Sequence, residues 1–264
     1  MDKRNVTRTS AAGTQVILRV TSLLREVSTH GREGLRLTDI AERLALEPPT
    51  AHRILKILVS EQILRRGERT KRYFLGPMLF ELGLAAAPQY NLRDACNTAM
   101  ESIAQKTRDT VFLTQRAGLD SVCLERKEGS FPIKTFTLDV GIRRPLGIGS
   151  GSLAILAALP QSEIESIVEA NAARLPKFDC GTNSKFLLAQ VRRTQRRGYA
   201  VRDVPELSGV RTLGCVIRDR NCSPIAAFSI SAISSRMSEA RQAELVLVLS
   251  QEISRVERKL FTDQ

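Results

Sequence analysis

Residues 38–76 constrain this chain more than any other stretch, because they read as helix, tight turn, helix and then a short hairpin with a basic tip. The second helix is expected to start at Pro48-Pro49-Thr50 and to run to about Val59. Ala51, Ile54, Leu55 and Leu58 recur at i, i+3, i+4 and i+7, one face of an α-helix. The other side carries Thr50, His52, Arg53 and Lys56, which hydrogen-bond or carry charge. A short helix apolar on one side and polar-basic on the other can enter the major groove of duplex DNA. The run Arg65-Arg66-Gly67-Glu68-Arg69-Thr70-Lys71-Arg72 follows, five cations against one anion around a glycine turn. Its flanks, Ile63-Leu64 and Tyr73-Phe74-Leu75, are apolar. That is the pattern of a wing, two strands whose tip lies against phosphates, so Arg65, Arg66, Arg69, Lys71 and Arg72 are read as phosphate contacts. Thr38, a candidate N-cap for the preceding helix, and Pro49 complete the expected DNA-contacting set.

A chain of 264 residues is too long for one such unit, and a second domain of roughly 150–200 residues is expected. A hydrophobic content of 42% without low-complexity tracts fits folded, core-bearing domains. The net charge of +12 suggests a polyanionic partner, although basicity alone is unspecific. No apolar run approaches the roughly 20 residues of a membrane span. The first ten residues are polar and lack the apolar centre of a signal peptide, so a cytoplasmic protein is expected. Five cysteines, an odd number without a CxxC pair, fit reduced thiols rather than a disulfide framework.

Residues 1–12 read as a flexible charged arm, and residues 13–76 as the winged helix-turn-helix. Its first helix has the stripe Val16, Ile17, Val20, Leu23, Leu24 and Val27. Residues 77–90 form a linker helix, unusually apolar and therefore a candidate to pack on a second subunit. From 91 to 264 the pattern mixes helices with alternating strands, at 111–116, 121–126, 133–138, 199–202, 211–218 and 225–231. The run Gly147-Ile148-Gly149-Ser150-Gly151-Ser152 opens an apolar helix, and a long helix from Ser238 to Phe261 closes the chain. This mixture predicts an α+β domain with an antiparallel or mixed sheet flanked by helices.

Both histidines, His30 and His52, lie in the DNA-binding part. A Ser-His-Asp or Cys-His nucleophile therefore cannot be built from side chains of the second domain. Cysteine spacing does not support zinc, no acid/base pair stands out, and neither a cofactor nor a metal is expected. The Gly/Ser run lacks the phosphate-loop pattern, since Leu153 stands where a lysine would be needed. It is either a tight turn beneath a packed helix or a helix entry whose N–H groups suit a small anion.

Several segments together resemble the IclR family of bacterial transcription regulators. They are residues 37–44, Pro49-Thr50-Ala51-His52-Arg53-Ile54-Leu55, Tyr73-Phe74-Leu75-Gly76, Arg196-Arg197-Gly198-Tyr199-Ala200, residues 209–214, and Ala226-Ala227-Phe228-Ser229-Ile230-Ser231 followed by Ser235-Arg236. The resemblance implies a winged helix-turn-helix, a linker helix and a C-terminal GAF-like α/β effector-binding domain. It also implies a homodimer or homotetramer on a palindromic operator and a small-molecule effector. Carried over position by position, the effector would meet Ser150 and Gly151, Val210 and Thr212, and Ser229 and Ser231, with Phe136 and Leu138 as apolar walls. This chain has no lysine in the Gly/Ser turn, and Arg202 stands where an acidic pocket residue is usual in similar proteins. An inward Arg202 would favour a carboxylate effector. Otherwise it ends its strand in solvent, or pairs with Asp203 or Glu206.

The expected function is thus a DNA-binding transcription regulator that senses a small molecule, probed against two other readings. One is an enzyme fused to a DNA-binding domain, against which the missing histidines weigh. The other is a nonspecific architectural DNA binder.

Overall fold

The computed structural model describes residues 3–31, 33–86, 92–178, 182–205 and 207–262. The chain separates into two compact units, Met1–Tyr90 and Asn91–Gln264.

In the first unit, helix α1 (Lys3–Thr29) precedes α2 (Leu37–Arg43) and α3 (Pro48–Ser60). The hairpin β1 (Leu64–Arg66) and β2 (Tyr73–Leu75) follows, and then α4 (Pro77–Ala86). Pro48 and Pro49 open α3, where a missing N–H costs nothing and the fixed φ suits the helix. Ala51, Ile54, Leu55 and Leu58 are buried as the periodicity demands, against Leu23 and Val27 of α1 and Ile40 of α2. The hairpin pairs Leu64 with Leu75 and Arg66 with Tyr73, which puts Leu64 and Tyr73 into the same core.

Three expectations change here. Residues 3–12, expected as a flexible arm, belong to α1; no proline interrupts them, and Arg4, Arg8, Ala11 and Ala12 are good helix formers. Val16 and Ile17 are exposed, and the buried stripe of α1 is confined to its second half, where α2 and α3 are in reach. Thr38 is not an N-cap: α2 starts one residue earlier, Arg36 caps it, and the Asp39 carboxylate accepts the Arg36 N–H at 3.1 Å. The last four residues of the expected linker helix lie outside the described residues.

The second unit is a six-stranded antiparallel sheet between two helical layers, in the order β5-β4-β3-β8-β7-β6. The strands are β3 (Thr110–Ala117), β4 (Asp120–Lys127), β5 (Arg143–Pro145), β6 (Ala200–Asp203), β7 (Val210–Arg218) and β8 (Pro224–Ile233). Side chains alternate between faces along each strand. Ala226, Phe228 and Ile230 of β8 therefore meet α5 (Leu92–Thr107) and α10 (Glu239–Thr262), in a core with Met100, Ile103, Leu245 and Leu249. Ala227, Ser229 and Ser231 look the other way, towards α6 (Ser150–Ala157). Around α6 pack α7 (Gln161–Asn171), α8 (Leu175–Phe178) and α9 (Ser184–Arg197). Asn183 caps α9 by accepting the Phe186 N–H at 2.9 Å, and Gly198 ends it in the left-handed conformation.

Helix α6 is buried along its whole length, which an eight-residue apolar helix requires. It lies so close to β7 that a Cβ on Gly214 would meet the Ser150 carbonyl carbon and oxygen at 2.7 Å. Residues 133–138, expected as a strand, join no strand ladder among the described residues. β5, which the sequence reading did not anticipate, takes the edge position beside β4.

Candidate nucleic-acid interface and ligand cavity

On α3 the side opposite the core presents Pro49, His52, Arg53 and Lys56 to solvent, with Thr50 half-buried. Thr38 is exposed on α2, where its hydroxyl donates to Asp39 at 3.4 Å. The sequence reading passed over Ile57, an exposed apolar residue one turn beyond Arg53. Such a side chain fits against a thymine methyl, and an exposed apolar residue on an otherwise basic face is the signal that could have found it.

The wing cations divide by geometry. Arg69 and Lys71 stand exposed at the tip, where the Lys71 N–H closes the turn on the Gly67 carbonyl at 2.9 Å. Arg65 lies over the Phe74 ring at 4.3 Å and Arg66 over Tyr73 at 5.6 Å, which stiffens both side chains without removing their charge. Arg72 is half-buried and donates to the Gly34 carbonyl at 2.8 Å. It fastens the wing to the loop before α2.

In the second unit, the α6-facing side of the sheet bounds a cavity of about 60 Å³ at the N-terminus of α6. Of the expected effector residues, Leu138, Ser150, Gly151, Arg202, Thr212 and Ser229 line it. Phe136, Val210 and Ser231 do not. Phe136 is 48% exposed, with the Arg126 guanidinium over its ring at 4.3 Å. Val210 pairs with Ile233 at the start of β7, away from the cavity. Ser231 shares the face of Ser229 but lies two residues further along, sealed in the interior. The i, i+2 pattern correctly gave the face and could not give where along the strand the cavity ends.

Ser150 is 2% exposed, and its Oγ has no hydrogen-bond partner among the described residues. Gly151 brings the helix backbone against the strands, since a Cβ there would stand 3.1 Å from Thr114 Oγ1 and 3.2 Å from Ser229 Oγ. Ser152 also lines the cavity, but its Oγ is engaged: it accepts the Gly147 N–H at 2.8 Å and the Ser121 hydroxyl at 2.8 Å. The Gly/Ser run thus combines a packed turn with a helix entry that faces a cavity.

Arg202 points inward and is only 8% exposed. It donates to the Gly147 carbonyl at 3.3 Å and to Thr182 Oγ1 at 3.4 Å, and lies 5.6 Å from the Phe186 ring centre. The solvent-facing alternative is therefore set aside. Asp203 is held by Arg211 through contacts of 2.7 and 3.3 Å, and Glu206 lies outside the described residues. Arg144 of β5 also lines the cavity and donates to the Thr137 carbonyl at 3.3 Å. It was missed because residues 143–145 carried no strand signal of their own. Phe112 and Ile148 supply apolar wall where Phe136 was expected.

None of the described thiols lines the cavity. Burial pushes Cys96, Cys123 and Cys215 up to about 12, so they stay protonated and unreactive. Cys222 is exposed, and Cys180 lies outside the described residues. Among the described residues, no helix is long and apolar enough to cross a membrane.

Comparison with known proteins agrees across both units. Residues 16–68 match the IclR helix-turn-helix domain, and residues 84–256 match the bacterial transcriptional regulator IclR C-terminal domain. The chain is 24% identical over 228 residues to the HTH-type transcriptional regulator XynR of Escherichia coli, covering 86% of this chain and 88% of that protein. It is 25% identical over 249 residues to the HTH-type transcriptional repressor AllR of Salmonella typhi, covering 93% and 91%. Among solved structures, the Thermotoga maritima IclR superposes with a TM-score of 0.62 at 24% identity, covering 94% of this chain and 99% of that one. An IclR homologue from Microbacterium hydrocarbonoxydans, complexed with 4-hydroxybenzoate, gives 0.69 at 24% identity, covering 93% and 98%. These structural likenesses concern the fold. With domain matches that span both units, this chain belongs to the IclR family of bacterial transcriptional regulators, which are DNA-binding proteins and not enzymes.

Proposed function

We propose that the protein binds a palindromic operator as a homodimer or homotetramer in the cytoplasm, and that a small carboxylate in the α6 cavity modulates that binding. Thr50, His52, Arg53 and Lys56 would read base edges, with Thr38 and Pro49 beside them. Arg65, Arg66, Arg69 and Lys71 would engage phosphates, and Arg72 would hold the wing in place. The observation that carries the effector reading is that Arg202, nine-tenths buried, lines the same cavity as the unpartnered Ser150 Oγ at a helix N-terminus. A buried cation, an idle hydroxyl and inward N–H groups together suit a carboxylate. The 4-hydroxybenzoate bound to the Microbacterium relative is itself a carboxylate, which supports the same class here.

For the oligomer, the support is α4: none of its residues is buried, and Phe80, Leu82 and Leu84 are exposed in a helix with no charge but Glu81. A second copy of the same helix would cover them. An effector that shifts the spacing of two DNA-binding heads would change operator affinity by about 1–3 kcal/mol, roughly 5–150-fold. The test is operator binding by fluorescence anisotropy with a panel of carboxylates and their neutral amides. The expected outcome is that at least one acid shifts affinity, its amide does not, and Arg202→Gln abolishes the shift. A panel that leaves affinity untouched, or amides as effective as acids, overturns the reading.

A further inference from the structure

Helix α9 turns one face inward and a basic face outward. Leu187, Val191 and Thr194 are buried, and the first two join the core with Ile164 and Ile167 of α7. On the opposite side Lys185, Ala189, Arg192 and Arg196 are exposed. They recur at i, i+4, i+7 and i+11, a single stripe along the helix. At a rise of about 1.5 Å per residue the stripe runs for roughly 16 Å, with Arg193 exposed on its flank. Residues 184–197 include no aspartate or glutamate.

Two observations separate this stripe from an ordinary solvated helix face. Many surface cations of the second unit meet carboxylates: Arg93 meets Glu125 at 2.6 Å, Lys127 meets Glu101 at 3.3 Å and Arg241 meets Glu244 at 2.7 Å. Lys185, Arg192, Arg193 and Arg196 make no ion pair or side-chain hydrogen bond among the described residues. On α7, packed beside them, Glu163 is taken by Arg116. The second observation is the position of Lys185. It stands in the first turn of α9, where the helix dipole favours an anion, so helix stability does not account for it. The dipole accounts only for Arg196, in the last turn.

We infer that the outward stripe of α9 is a second DNA-contacting surface, which holds sugar-phosphate backbone without reading sequence. A row of like charges repels itself in the free chain, and closely spaced phosphates relieve that repulsion. The stripe exceeds the roughly 12 Å width of a major groove, and the small Ala189 in its middle lets the helix approach the backbone closely. Among polyanions, duplex DNA has the advantage that the helix-turn-helix unit already holds it, which gives its phosphates a high effective concentration. Those phosphates come either from DNA flanking the operator or from a second duplex. The inference rests on DNA binding by the first unit and is independent of the α6 cavity.

The experiment uses the full-length protein and an operator that it selects from a random duplex library. Anisotropy over a range of salt compares the bare operator with the same operator carrying two helical turns of flanking duplex on either side. A second arm adds a labelled duplex of unrelated sequence to protein saturated with bare operator. In wild type, either the flanks should tighten binding about tenfold or more and steepen the salt dependence by about two to three units, or the unrelated duplex should be captured. The first response assigns the phosphates to the flanks, the second to another duplex. Arg192→Gln combined with Arg196→Gln should remove most of the gain and about two units of slope, with binding to the bare operator within about twofold of wild type. Ala189→Glu keeps every cation and sets a carboxylate amid the stripe, and should have the same effect. Arg192→Lys combined with Arg196→Lys should keep the gain, since a point charge suffices for phosphate. Thermal melting checks the fold, and either loss variant that melts like wild type decides. No gain in either arm with wild type overturns the inference, as it would if the stripe served an acidic protein. A gain that survives the loss variants, or an equal loss on the bare operator, overturns it as well.

Discussion

Arg53 shows how one residue's role follows from its helical angle. It stands exposed on α3, between buried Ala51 and buried Ile54. If it reads a guanine edge, Arg53→Ala should cost about 1–3 kcal/mol of operator affinity while leaving binding to scrambled DNA nearly unchanged. Anisotropy on both duplexes measures the difference, and equal losses on both would place Arg53 on the backbone instead. Gly151 is the corresponding residue of the cavity. Gly151→Ala pushes a methyl group against Thr114 and Ser229, so effector affinity should fall about tenfold or more with the fold intact. A folded variant with unchanged affinity would move the ligand away from α6. The cysteines divide in the same residue-by-residue way. Cys222 is exposed, whereas Cys96, Cys123 and Cys215 are held up to about 12 by burial. Iodoacetamide at neutral pH should therefore modify Cys222 in the native protein and the other three only after unfolding, as peptide mass spectrometry would report.

Elements add what single residues lack, a fixed distance between groups. The wing holds Arg69 and Lys71 at its tip because Arg72 is fastened to Gly34 and the strands pair in register. Lys71→Ala should weaken binding to all duplexes alike and flatten the salt dependence by about one unit. Arg72→Ala should in addition lower the melting temperature, since it removes a hydrogen bond that orders the wing. A changed sequence preference in either variant would mean that the wing reads bases. The pair α5 and α10 holds a second such device. Glu252 of α10, buried, accepts from Ser102 and Lys106 of α5, each at 2.7 Å, and pairs with Arg255. Burial works to raise its pKa, but the hydrogen bonds from Lys106 and Ser102 and the charges of Lys106 and Arg255 outweigh it and hold the pKa below the ordinary carboxylate value. A lowered folded value means that the stabilisation is complete well above the unfolded value of about 4.3 and disappears as pH falls through the folded one. Glu252→Gln should cost about 1–3 kcal/mol at pH 7, and little of that difference should persist near pH 3. Denaturant unfolding at the two pH values checks it, and an equal cost at both would assign the loss to packing.

At the scale of the whole molecule, the proposed palindromic operator would call for a second copy. A palindromic site mirrors a two-fold axis, and half-sites about one helical turn apart, or a multiple of it, follow from that symmetry. The exposed apolar row on α4, with Phe80 at 70% exposure, is the surface proposed to meet that copy. Phe80→Glu combined with Leu84→Glu should shift the protein towards monomer in sedimentation velocity and reduce operator affinity. Unchanged sedimentation would move the subunit contact elsewhere. The cavity expectation, by contrast, is a property of the second unit and should survive in a monomeric variant.

Most of the DNA-binding unit was legible in the sequence, because its information is local, although the start of α1, the extent of its buried stripe and the cap of α2 were not. Helical periodicity identified the buried face of α3, and proline and glycine set the ends of α3 and α9 to within a residue or so. The basic tip of the wing was legible as charge around a turn. The cavity was legible only in part, because it is assembled from residues far apart in the chain. A strand pattern tells which face Ser229, Ser231 and Thr212 share, since that period is local. It does not tell that Ser231 is sealed off, that Phe136 turns outward to Arg126, or that residues 133–138 stay outside the ladder. Nor does it tell that the sheet coils until Arg144 and Arg202, 58 positions apart in the chain and at opposite edges, line one cavity. Strand order and coiling decide that convergence, and both are set by how the whole sheet packs on α6 and on the α5–α10 pair.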